Sequence, residues 1–111
     1  MIKTPQWGCI VETWVFSQLY KQIKDIVPKV GLYYWRTQNG AEVDFILEIG
    51  NKLIPIEVKT GIQLHSYSFR GIQEFIKSQK KEVPYGIILY GGNNVKILKA
   101  NIIAVPLQML Y

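Results

Sequence analysis

The chain has 111 residues, 49% hydrophobic, 13% aromatic and 19% charged, which is enough apolar material for one compact domain with its own core. No apolar run approaches the roughly 18–20 residues of a bilayer-spanning helix, and no signal-length apolar segment opens the chain, so a soluble protein of the reducing cytoplasm is expected. Thirteen Lys and Arg against eight Asp and Glu give a net charge of +5, spread thinly along the sequence with the densest cluster at Lys77, Lys80 and Lys81, which suits a polyanionic partner without requiring one.

In chain order, the first pattern is helical. Between about residues 9 and 26, Val11, Val15, Phe16, Leu19, Ile23 and Ile26 fall on one arc at 100° per residue, with Thr13, Ser17, Lys21 and Lys24 opposite, and Pro28 closes the segment. Glu12 falls near the middle of the apolar arc, so it is predicted to point into the core. A glutamate there needs a partner, which Lys59, a metal, Arg36, a tyrosine hydroxyl or neighbouring backbone can supply.

From residue 31 the period changes to two. Leu32-Tyr33-Tyr34-Trp35-Arg36-Thr37, a turn at Asn39-Gly40, the alternating Glu42-Val43-Asp44-Phe45-Ile46-Leu47-Glu48-Ile49, a turn at Gly50-Asn51 and Lys52-Leu53-Ile54-Pro55-Ile56-Glu57-Val58-Lys59-Thr60 predict a three-stranded antiparallel meander. A second helix follows, capped by Ser66 or Ser68 and running to about Lys80, with Phe69, Ile72, Phe75 and Ile76 inward. After Pro84, the apolar run at 85–90 reads as a strand covered on both faces, followed by Val95-Lys96-Ile97-Leu98 and a short strand near 101–105. The expected class is α/β (α+β), a central mixed sheet flanked by helices in the order α-β-β-β-α-β-β, forming a single domain over residues 1–111 with no internal linker or repeat.

The chemistry concentrates in the second hairpin. A two-residue loop at Gly50-Asn51 pairs Ile49 with Lys52 and, counting outward, Asp44 with Glu57 and Glu42 with Lys59. Opposed side chains share a face with Cβ atoms about 4.5–5.5 Å apart, where like charges repel. Lys59 lies on the same face as Glu57, roughly 6.6 Å along the strand. Ile46, Leu53 and Pro55 are expected on that face, with Val43, Phe45, Ile54, Ile56 and Val58 on the other. One cysteine, Cys9, and one histidine, His65, allow neither an internal disulfide nor a four-ligand zinc site, so any metal would be held by oxygen. Mg²⁺ or Mn²⁺ between Asp44 and Glu57, with the Val58 backbone carbonyl as a further ligand, fits that requirement. The same spacing also suits a cross-strand salt-bridge ladder on a solvated face. Cys9 reads as a small packing residue, and His65 is assigned no role.

Taken together, Gly8-Cys9-Ile10-Val11-Glu12-Thr13-Trp14-Val15, Tyr34-Trp35-Arg36-Thr37, Asn39-Gly40-Ala41-Glu42-Val43-Asp44-Phe45 and Ile54-Pro55-Ile56-Glu57-Val58-Lys59 resemble the C-terminal domain of unknown function of prokaryotic AAA+ ATPases. That domain is similar to the PD-(D/E)XK restriction-endonuclease-like nucleases, and the resemblance runs from about residue 8 to 106. It implies a metal-dependent nuclease hydrolysing DNA phosphodiester bonds with Mg²⁺ or Mn²⁺. Asp44 and Glu57 would be the metal carboxylates, Lys59 the signature lysine and Glu12 the additional helical acid, with Gln73 where some members carry a glutamine. It also implies a parent AAA+ ATPase as partner, and nucleases of this broad fold often act in pairs, which brings a homodimer into view. No Gly-x-x-x-x-Gly-Lys-Ser/Thr phosphate loop occurs in the chain, so ATP hydrolysis is not expected from it.

A competing expectation is a catalytically inactive nuclease-fold module that binds nucleic acid or protein and regulates the ATPase, using Tyr33-Tyr34-Trp35, Tyr85 and Tyr90 as surface. A third is a structural domain with a salt-bridged sheet face.

Overall fold

The structure, a computed structural model, describes residues 14, 15, 17, 18, 21, 30–38, 40–65, 69–99 and 101–110. Trp14, Val15, Ser17, Gln18 and Lys21 are helical, with Val15 fully buried and Ser17 and Lys21 exposed, in keeping with the amphipathic arc. The strands that follow are β1 (Val30–Arg36), β2 (Glu42–Ile49) and β3 (Lys52–Lys59), then helix α1 (Arg70–Ser78), then β4 (Gly86–Tyr90), β5 (Lys96–Lys99) and β6 (Ile102–Pro106). A short 3-10 turn, Leu107–Leu110, follows β6. Among the described residues no helix is long and apolar enough to cross a membrane.

All six strands join one mixed sheet in the order β1-β2-β3-β4-β6-β5. β1, β2 and β3 form the antiparallel meander, and β4 pairs parallel to β3 because α1 carries the chain back across the sheet. β6 adds parallel to β4, and β5 closes the far edge antiparallel to β6. Three strands therefore follow α1, one more than α-β-β-β-α-β-β allows. The reason is local: the chain turns at Asn101, so residues 96–106 make a hairpin whose second arm, not its first, reaches β4.

Gly50 closes the β2–β3 hairpin with a φ of +61°, a backbone conformation that side chains resist and that a two-residue loop with glycine first requires. Helix α1 is shorter than its apolar period suggests. Phe69 occupies the N-cap position without a side-chain cap, the candidate caps Ser66 and Ser68 lie outside the described residues, and the chain is extended again by Gln79.

Two apolar layers cover the sheet. Ile72 and Phe75 of α1 join Val43, Ile46, Leu53, Ile88, Tyr90, Ile102 and Ala104 on one face, where Trp35 meets Phe75 edge-on at 5.2 Å between ring centres. On the other face Val15 and Leu110 cover Phe45, Ile54, Ile56, Val58 and Leu89. Strand β3 is buried from Leu53 through Val58 because it lies inside both layers.

Val43 departs from the expected alternation, since it belongs with Ile46 and Leu53 and not with Phe45. Between the pairs Tyr33–Ile46 and Trp35–Val43, β1 advances two residues while β2 advances three. One extra residue is thus inserted in β2 around Asp44 and Phe45, a β-bulge that resets which face each later side chain meets.

Ile72 is fully buried between helix and sheet. Ile72→Ala is expected to cost about 2–5 kcal/mol in urea unfolding. Ile62→Ala, at a position 70% exposed, is expected to stay within about 0.5 kcal/mol of the wild type.

Candidate functional site

The β2–β3 hairpin keeps the predicted register from Ile49–Lys52 to Phe45–Ile56. Beyond that last pair the two strands part. β3 continues beside β4, with Glu57 opposite Ile88, Val58 opposite Leu89 and Lys59 opposite Tyr90. β2 continues beside β1, with Val43 opposite Trp35 and Glu42 opposite Arg36. The bulge supplies the cause, because an extra residue bends its strand and ends regular pairing on one side.

The parting corrects one expectation. Glu42 does not face Lys59; its carboxylate meets the Arg36 guanidinium across the β1–β2 pair at 3.3 Å, in a largely solvated ion pair. Such a pair contributes about 0–1 kcal/mol and carries no chemistry of its own.

Asp44 and Glu57 remain at the parting, and both are buried, at 7% and 6% exposure. Asp44 sits in the bulge, and its Oδ2 accepts a hydrogen bond from the Val58 N–H at 2.7 Å. The carboxylate thereby replaces the strand carbonyl that a regular ladder would have offered to that amide. Val58 turns its own side chain, 1% exposed, to the opposite apolar layer, so it meets the acids through its backbone.

Glu57 faces α1. A Cβ built on Gly71, the second residue of that helix, would fall 2.2 Å from the Glu42 carbonyl oxygen and 3.3 Å from the Glu57 Oε2. The first turn of α1 can approach the parted strands only because this position has no side chain. The partial positive charge of a helix start favours an anion beside it. Lys59 ends β3 half-buried, on the face of Glu57 by the strand period.

Asp44 thus lies against the Val58 backbone, Glu57 precedes Val58 and lies beside the start of α1, and Lys59 follows two residues after Glu57 on the same strand. Glu12 lies outside the described residues, and Gln73 is half-buried on α1 between buried Ile72 and exposed Glu74. Among the described residues no three His, Cys, Asp or Glu side chains gather into a group that could hold a metal ion. Carboxylates are hard oxygen donors, and a buried one needs hydrogen-bond or ionic partners in place of water, as Asp44 has in the Val58 amide.

Of the aromatic residues considered as surface, Tyr34 is 53% and Tyr85 38% exposed, whereas Tyr90 is buried and its hydroxyl donates to the Asn94 carbonyl. Reading the sequence by pattern misses Gly71. Glycine costs about 1 kcal/mol against alanine only in a helix interior, so at the second position of α1 it gives the sequence little to read.

Gly71→Ala is expected to destabilise the protein by about 1–3 kcal/mol in chemical unfolding, since backbone must move to admit the methyl group. Gly61→Ala provides the contrast, because a Cβ there would meet nothing nearer than 3.9 Å. A Gly71→Ala protein as stable as wild type would show that the helix start does not press on the strands.

The family model described as a domain of unknown function, DUF4143, matches residues 7–110. No curated protein and no solved structure matches the chain.

Proposed function

The chain belongs to the DUF4143 family, and we propose that it is a divalent-metal-dependent nuclease domain of the PD-(D/E)XK restriction-endonuclease-like kind, hydrolysing DNA phosphodiester bonds. The observation that carries this reading is the joint burial of Asp44 and Glu57 where β2 and β3 part, with Lys59 two residues beyond Glu57 on the same strand. The connection of a three-strand meander through a helix to a parallel fourth strand also agrees with that fold.

The donor set fits Mg²⁺ or Mn²⁺, being oxygen throughout with no thiolate or imidazole. Asp44, Glu57 and the Val58 carbonyl would hold the ion, with Glu12 as the additional acid that the resemblance implies. When bound, the ion supplies positive charge for the scissile phosphate and lowers the pKa of a nearby water.

The residues of the chain do the positioning. The Val58 amide fixes the Asp44 carboxylate in one orientation, so no reorganisation is needed during the reaction. The first turn of α1 confines Glu57 from the other side. The Lys59 ammonium orients the attacking water and offsets negative charge gathering on the phosphate. The resemblance further implies a parent AAA+ ATPase to which such a domain is attached, and action on two strands as a pair of copies.

The Asp44–Val58 hydrogen bond also supports a second reading, in which the carboxylate serves as a bracket closing the parted strands. In that case the domain is an inactive nuclease-fold module that binds nucleic acid or protein and regulates the ATPase.

Incubation of the protein with supercoiled and linear DNA separates the two. Cleavage dependent on Mn²⁺ or Mg²⁺ is expected, falling roughly 100-fold or more in Asp44→Asn, Glu57→Gln and Lys59→Ala. Absence of cleavage with every divalent ion and DNA form would favour the module. Mn²⁺ at about 100 times its Kd should stabilise the wild type by about 2.7 kcal/mol, and Glu57→Gln should abolish the gain.

A further inference from the structure

A cationic feature outside the acidic pair lies on β5 and at the start of α1. Lys96 pairs with Ala104 and Lys99 with Ile102, both of which belong to the layer under α1, so both lysines rise on the face that carries Glu57. The Lys96 Nζ stands 6.0 Å from the centre of the Tyr90 ring, and the Lys99 Nζ 5.5 Å from that of Phe69.

Strand pairing relates these cations to the site. Glu57, Ile88, Ala104 and Lys96 occupy one transverse row across β3, β4, β6 and β5. Three strand spacings separate the row's ends, about 14 Å, which is the axial length of about four base pairs of duplex DNA. Lys59 neighbours the other side of Tyr90, as its partner across β3 and β4. Phe69, beneath Lys99, immediately precedes exposed Arg70, and a Cβ on the following Gly71 would stand 3.3 Å from the Glu57 Oε2.

Among the described residues no carboxylate forms an ion pair with these cations, although Glu74 stands one helical turn after Arg70 on α1. The ion pairs of the described residues join Arg36 to Glu42, Lys52 to Glu82 and Lys81 to Glu48, and none involves Lys96, Lys99 or Arg70. The acids Glu48 and Glu82 are spent at the hairpin end of β2 and β3, away from the parting. Exposed cations gathered along an edge strand suit repeated phosphates, whose condensed counterions they release.

Along this edge the rings under the lysines bear on the kind of nucleic acid. Binding of single strands relies on exposed aromatic faces that stack on bases. Tyr90 and Phe69 are 1% and 7% exposed, buried beneath the chain with lysines above them. They hold the lysines upright by cation–π attraction and offer no stacking platform.

We infer that Lys96, Lys99 and Arg70 form a rail for the sugar–phosphate backbone of duplex DNA, leading one strand toward Asp44 and Glu57. The inference deepens the nuclease reading, taking its site as the destination. Contact is to the backbone, so recognition along the rail is independent of base sequence.

Binding of a fluorescent duplex of about 30 base pairs by the whole chain in EDTA, between about 50 and 200 mM salt, tests the rail apart from cleavage. Lys96→Gln with Lys99→Gln should weaken binding roughly tenfold and lower the slope of log affinity against log salt by about two. Lys96→Arg with Lys99→Arg should restore both, and Lys80→Gln, an exposed lysine beyond the other end of α1, should change neither. Undiminished binding by the double Gln variant, an equal loss in Lys80→Gln, preference for single strands or no duplex binding by wild type would each overturn the rail. Duplex binding that depends on Lys96 and Lys99, without cleavage under any divalent ion, would leave the rail standing and remove the nuclease reading.

Discussion

One hydrogen bond, from the Val58 amide to the Asp44 carboxylate, holds the molecule where its sheet opens. Parting two neighbouring strands inside a covered sheet strips backbone groups of partners in a place that water barely reaches, and each such orphan costs about 1–3 kcal/mol. A side-chain carboxylate in place of a carbonyl meets that cost at Val58 while bringing a negative charge beneath the surface. The charge in turn makes the neighbourhood demanding, because Glu57 is buried beside the same opening. Backbone satisfaction and chemical potential thus reside in one carboxylate, and its loss would disturb both.

Helix α1 is the complement of that opening. Its apolar side, Ile72 and Phe75, anchors it in the layer with Val43, Ile46 and Leu53, and its glycine-bearing first turn fills the space beside Glu42 and Glu57. The parallel crossover from β3 to β4 requires a connecting segment over this face in any case. What is specific is that the crossover begins at the acids, so the packing that stabilises the sheet also confines the site.

Much of this was legible in the sequence. Alternation and the Gly50-Asn51 turn fixed the hairpin register through Phe45–Ile56, and the inward residues Ile72 and Phe75 followed from helical period. The period-two rule fails at Asp44, where the bulge places Val43 with Ile46. No residue in Glu42-Val43-Asp44-Phe45 announces such an insertion, since no glycine or proline occurs there. Counting residues outward from a turn also cannot show where two strands cease to pair, so it places Glu42 opposite Lys59, whereas Glu42 pairs with Arg36. Likewise the sheet position of β6, between β4 and β5, follows from long-range pairing that local propensity does not contain.

The bulge has a further consequence for how this stretch of chain tolerates change in length. Surface loops accept insertions and deletions because nothing counts their residues, but β2 is counted from both neighbours: from β3 through the hairpin and from β1 through Trp35 and Arg36. Removing one residue between Val43 and Ile46 would regularise the β1–β2 ladder and carry Asp44 out of reach of the Val58 amide. Adding one would exchange the faces of Glu42 and Val43, moving a charge into the layer beneath α1. Substitution is thus the route open to divergence here, while the length of this four-residue segment is held by geometry.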